Sequence, residues 1–215
     1  MHGEPGGGAE RFWEEHYMGH ELVWSGRPNP VLVEVVGSLA PGEALDLGCG
    51  EGGDAVWLAA QGWRVTAVDV SATALRRASE RAEAERVSER IDFQQQDLEF
   101  TFPEGAFDLV SAQYLHSPVE FPRVRVLQRA ARAVAPGGLL LVVDHASVPH
   151  RSWADPNIRF PTPEEALSAI DLDAAKWHTE RLDAPERQAT VHGGQTVTVT
   201  DNVIALRRLA RSGEA

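Results

Sequence analysis

Apolar and polar positions alternate along this chain in blocks. Short runs rich in β-branched and aliphatic residues occur at 43–48, 64–69, 91–96, 107–112 and 137–144, and the intervals 53–61, 72–87 and 121–134 carry helical spacing. Strands separated by crossover helices predict a parallel sheet, so the expected class is α/β. The last third changes character. Thr162, Pro163, Glu164 and Glu165 form a helix start, a short helix runs to Ile170, and two strand-like runs follow near 174–183 and 195–208. Residues 1–9 and 210–215 are Gly-rich or polar and are expected to be disordered, leaving one domain over 10–209, with helices in 10–40 ahead of the first strand.

The most informative break in this pattern is the run from Ala44 to Asp54, where an apolar strand gives way to Gly48, Gly50, Gly52 and Gly53. Glycines let a backbone turn tightly and approach a ligand where a Cβ would collide, and the helix that follows offers free N–H groups. The second strand ends on Asp69, about 20 residues past the first glycine, a separation at which an acidic side chain accepts ribose hydroxyls. Gly48, Gly50 and Gly53 also satisfy G-x-G-x-x-G, so a nicotinamide or flavin dinucleotide must be weighed against S-adenosylmethionine. Asp46 lies at the mouth of the strand, where a carboxylate repels a pyrophosphate but suits the ammonium of a methionine moiety. The third strand ends on Asp97 and Leu98, an acceptor for the adenine amine and an apolar wall for its ring.

In these three motifs the chain resembles the class I S-adenosylmethionine-dependent methyltransferases, through Leu45–Gly52, Val68–Val70 and Gln96–Leu98. The likeness extends over residues 10–209. Phe107–His116 is similar to the fourth strand and its loop, and Ala133–Val143 to the turn into the fifth. More narrowly, Phe12–Tyr17, Val23–Ser25, Pro28–Pro30, Val143–His145 and Pro161–Glu165 are similar to a bacterial small-molecule branch related to tellurite-resistance and thiopurine methyltransferases. The resemblance implies a Rossmann-like, seven-stranded, mostly parallel sheet with an antiparallel last strand, and methyl transfer to a small-molecule acceptor. It implies a cofactor set of Trp13, Tyr17, Trp24, Asp46, Gly48, Cys49, Gly50, Asp54, Asp69, Val70, Ser71, Asp97, Leu98 and Gln113. A non-catalytic S-adenosylmethionine-binding protein and a dinucleotide-dependent oxidoreductase are the competing readings.

Composition narrows the partners. At 215 residues the chain suits one domain, and its net charge of -12 opposes binding to nucleic acid or an anionic membrane. The acceptor expected is small and uncharged or cationic, and the protein a monomer or homodimer. The single cysteine, Cys49, forbids an internal disulfide and fits a reducing, cytoplasmic compartment, where its role is that of a buried spacer. The histidines show no metal-ligand spacing; His16 and His20 are four apart but lack a third ligand, so no metal is expected.

Methyl transfer from a sulfonium needs mostly orientation and exclusion of water. Trp13, Tyr17 and Trp24, clustered ahead of the first strand, are therefore expected to form a lid. A base is needed only where the acceptor must lose a proton. His116 follows the fourth strand and His145 the fifth, at the carboxyl ends where open α/β sheets bind ligands, which makes them the catalytic candidates. Arg81, Arg86 and Arg90, mixed with Glu83, Glu85 and Glu89, are expected on a solvated face, and Arg123, Arg125, Arg129 and Arg132 on the surface.

Overall fold

A computed structural model describes residues 8–147, 159–190 and 196–210. The expected disorder at 1–7 and 211–215 lies outside the described residues, as do His2, His150 and His192; Gly8 and Ala9, expected to be disordered, begin a helix instead.

That helix, α1 (Gly8–Met18), and α2 (Pro30–Val36) precede β1 (Glu43–Leu47). Then come α3 (Gly53–Ala60), β2 (Arg64–Asp69), α4 (Ala72–Ala84), β3 (Ile91–Gln95), β4 (Phe107–Gln113), α5 (Arg123–Ala133) and β5 (Val134–His145). The chain closes with α6 (Pro163–Ile170), β6 (Trp177–Asp183), β7 (Glu186–Thr190) and β8 (Thr196–Arg208). The expected elements are all present to within a few residues at their ends.

The sheet runs in the order β3-β2-β1-β4-β5-β8-β6. The first five strands are parallel, and β8 lies antiparallel between β5 and β6, as the resemblance implied. The strand count is one higher than expected. β7 pairs with the first part of β8, Thr196 to Thr200, before that strand continues between β5 and β6.

Alternation along β5 divides the core. Leu139, Leu141 and Val143 pack with α2 and α3, whereas Leu140 and Val142 pack with α5 and α6, so helices cover both faces of the sheet. Each fully buried aliphatic side chain contributes roughly 1.5–3 kcal/mol. Strand order reverses between β1 and β4, and the carboxyl ends of these two strands open the crevice that positions the site.

Candidate functional site

Chain direction changes abruptly after β1, and three of the loop glycines take the left-handed conformation: Gly48 at φ 72°, Gly50 at 53° and Gly52 at 79°. A Cβ on Gly48 would stand 2.8 Å from Leu115 Cδ1, and one on Gly50 would stand 2.9 Å from the Tyr17 hydroxyl oxygen. The loop is thus pressed between the β4 loop and the leader. Asp69 anchors it: Oδ2 accepts from Gly50 N at 2.9 Å and Oδ1 from Ser71 N at 2.9 Å. Ser71 caps α4 through its hydroxyl, which accepts from Ala74 N at 3.1 Å.

Asp46 and Asp69, both buried, and the half-buried Asp54 form an acidic group around this loop. Burial raises the pKa of all three; the charges of Asp54 and Asp69 raise Asp46 further, and Asp54 is pushed up to about 6 although Asn29 N–H donates to it at 2.6 Å. Asp46 Oδ2 is buried without a hydrogen-bond partner. A carboxylate oxygen left so is costly unless a ligand supplies a donor. Burial also raises the Cys49 thiol, whose role is that of a small buried spacer.

The leader folds over the loop. Trp24 Nε1 donates to the Tyr17 hydroxyl at 3.0 Å, and Trp13 sits 6.2 Å from the Tyr17 ring within an aromatic cluster that includes Phe12 and His16. Tyr17 is buried, Trp13 half-buried and Trp24 exposed. Glu14 reaches from α1 to the start of α4, where its carboxylate accepts from the Ser71 hydroxyl at 2.6 Å and from Thr73 N at 3.1 Å.

Two carboxylates, on β5 and β8, each hold a histidine. His116 Nε2 lies 3.3 Å from Asp144 Oδ1, and His145 Nδ1 lies 3.6 Å from Asp201 Oδ1. Burial raises Asp144, but the His116 hydrogen bond and the Arg123 guanidinium outweigh it and hold the carboxyl below its ordinary range. Asp201 is held down likewise: burial raises it, while His145, Arg187 and the Tyr114 hydroxyl at 2.7 Å lower it. Tyr114 adopts φ 52°, unusual for a residue with a Cβ, and stacks on His145 at 4.3 Å. Each histidine keeps its remaining nitrogen free of these partners, with about two-fifths of the side chain exposed.

The description "methyltransferase domain" fits residues 44–138. A probable thiol methyltransferase 2 of Arabidopsis thaliana is 30% identical over 202 residues, covering 86% of this chain and 87% of the relative. A 2-heptyl-1-hydroxyquinolin-4(1H)-one methyltransferase of Mycobacteroides abscessus is 31% identical over 179 residues, 80% of this chain and 75% of the relative. The chain belongs to the class I S-adenosylmethionine-dependent methyltransferases. The fold agrees: the N-methyltransferase NodS from Bradyrhizobium japonicum, solved with S-adenosyl-L-homocysteine, superposes with a TM-score of 0.64 at 19% identity, covering 93% and 98% of the two chains. The oxidoreductase alternative falls with this assignment.

The methyltransferase's cofactor is S-adenosylmethionine. The residues present fit it, since two buried carboxylates, the half-buried Asp54 and an unpartnered Asp46 oxygen favour a cationic ligand with N–H donors. Asp69 retains lone pairs for ribose hydroxyls beyond its two backbone bonds. Of the residues expected from sequence, Tyr17, Trp24, Gly50, Asp69 and Ser71 are brought together directly by hydrogen bonds or close approach. Asp97 accepts from Glu99 N at 2.9 Å at the third strand's end, while Leu98 is packed in the core and its carbonyl accepts from Arg129. Gln113 Nε2 donates to Ser111 at 2.9 Å and leaves its Oε1 unpartnered; the Val70 carbonyl accepts from Gln95.

Sequence reasoning missed Glu14, Glu51, Arg77, Tyr114, Asp144, Arg187 and Asp201. It also placed three arginines wrongly. Arg81 donates to the Gly26 carbonyl at 2.9 Å, Arg123 pairs with Asp144, and Arg129 lies 4.9 Å above the Phe102 ring. Arg86, Arg90, Arg125 and Arg132 are exposed as expected. The segment Val143–His145, noted for its resemblance to the small-molecule branch, carries one of the missed acids, and its Asp144 was the most readable of them.

Proposed function

We propose that the enzyme methylates a small-molecule acceptor whose reacting atom begins protonated, an O–H or S–H, and that His116 or His145 accepts that proton. The observation that carries this reading is the pair of histidines at the carboxyl ends of β4 and β5, each turned by a buried, ionised carboxylate. A carboxylate facing one imidazole nitrogen favours N–H there and leaves the other nitrogen as the acceptor. Leu115 approaches Gly48, and His116 is the next residue in the chain, which supports a place for it near the glycine loop.

Bound S-adenosylmethionine supplies a methyl carbon already activated by its sulfonium. His116 or His145 would take the acceptor's proton and so free its O or S lone pair for that carbon, with the proton held on the imidazole. Tyr17 and Trp24 exclude water above the loop. The relatives named for a thiol and for a hydroxyquinolone support an acceptor of this kind. A net charge of -12 favours a free small molecule over a phosphate backbone, and a cytoplasmic setting suits the single cysteine.

The test is an acceptor screen of thiols and aromatic hydroxyls with methyl-labelled cofactor, repeated with His116→Ala and His145→Ala. One variant should lose ~10²–10⁴-fold in kcat with S-adenosylhomocysteine affinity intact. Because the base must be neutral, wild-type rates should fall on acidification, and that variant should lose the acid limb. Full activity in both variants would show that neither histidine serves catalysis, and cofactor binding with no product from any acceptor would favour a non-catalytic binder.

A further inference from the structure

Glu51 stands between Gly50 and Gly52, and its side chain is 1% exposed. Its carboxylate faces the leader, accepting the backbone N–H groups of Val23 at 3.1 Å and Trp24 at 2.9 Å. Arg77, on α4, donates to the same carboxylate at 2.8 Å, and its other terminal nitrogen donates to the carbonyls of Tyr17 at 3.0 Å and His20 at 2.6 Å. The backbone between α1 and α2 makes no helix or strand, so its polar groups depend on partners from outside the segment. The Glu51–Arg77 ion pair satisfies three of them, and with them the carbonyl of Tyr17 in the last turn of α1.

Stability alone is a poor reason for such a pair, because removing two charges from water offsets most of their attraction. Its location gives a better one. The segment it pins carries Tyr17 and Trp24, whose linked side chains press on Gly50, while Glu51 itself is fully occupied by the leader and Arg77. We propose that Glu51 and Arg77 are positioning residues that hold Tyr17 and Trp24 across the glycine loop and thereby set how tightly the enzyme retains its cofactor. The inference rests on the reading of this loop as the S-adenosylmethionine site.

Two variants probe it: Glu51→Gln, which keeps an acceptor for the N–H groups but removes the charge, and Arg77→Lys, which keeps the charge but lacks a fork to span carboxylate and carbonyls. In each, amide hydrogen exchange over residues 17–26 should quicken at least 10-fold, and calorimetry should show S-adenosylhomocysteine binding ~10–100-fold more weakly. Val126→Ala, a cavity in the distant α5 core, should lower Tm without changing that affinity, which separates positioning from general destabilisation. Faster exchange with unchanged affinity overturns the proposal, as does weaker affinity with unchanged exchange. Asp69→Ala separates failure of the Glu51–Arg77 proposal from failure of the cofactor site. If it loses affinity while Glu51→Gln and Arg77→Lys keep theirs, the proposal falls and the cofactor site stands; if it binds like wild type, the cofactor site lies elsewhere and the proposal falls with it.

Discussion

Asp54 sits in the glycine loop's helix with its carboxyl pushed up to about 6 by burial, the Asn29 N–H pulling weakly the other way. Between its ordinary value and about 6 the folded chain binds more protons than the unfolded one, so this group's contribution to stability falls as pH rises through that window and stays low above it. Asp54→Asn is expected to stabilise the ligand-free protein at pH 7.5 by on the order of 1–3 kcal/mol and to have little effect near pH 4, as read by urea denaturation. The same carboxylate should welcome a cation, so calorimetric S-adenosylhomocysteine affinity in the wild type should rise as pH climbs through about 6. Asp69→Ala should cost ~2–4 kcal/mol of that affinity, the loss of two hydrogen bonds to a charged acceptor. Asp46, Asp54 and Asp69 were legible because they sit at strand ends or helix starts fixed by their neighbours in sequence. Arg77, Arg123 and Asp201 were not, since their partners lie 26, 21 and 87 residues away and only the closed fold brings them together.

Among the elements, α3 depends most on one backbone angle. Gly52 leads into it at φ 79°, and an added Cβ would stand 2.8 Å from Ala78 Cβ on α4. Left-handed strain and this overlap together make Gly52→Ala cost about 2–4 kcal/mol, and differential scanning calorimetry should show Tm lower by roughly 4–16 °C. Helix α6 was legible down to its cap, because Thr162 and Glu165 close a reciprocal pair of side-chain bonds that their spacing foretells. Strand β7 was not. Glu186 to Thr190 offer no apolar alternation, and they form a strand only because the first part of β8 supplies an open edge. Helix α1 escaped at its first turn for a related reason: Gly8 is a poor helix former, and the helix is held by contacts with α4 instead.

For the molecule as a whole, cofactor and fold stabilise one another. A ligand that binds only the folded state at 100 times its Kd adds about 2.7 kcal/mol, so S-adenosylhomocysteine should raise Tm by roughly 5–10 °C in a thermal shift measurement, while NAD should leave it unchanged. The general plan was legible because each parallel strand, its helix and its loop are contiguous in sequence. The histidine–carboxylate pairs were less so, because they draw on strands far apart in the chain. That distribution has a consequence for synthesis. Chains emerge from the ribosome N-terminus first, at ~5–20 residues per second. The carboxylates of the glycine loop, all before residue 70, emerge well ahead of Asp201 on β8, which slots between β5 and β6. The residues of the glycine loop are therefore made several seconds before His145 can acquire Asp201 as its partner, so the histidine pairs are completed only late in synthesis.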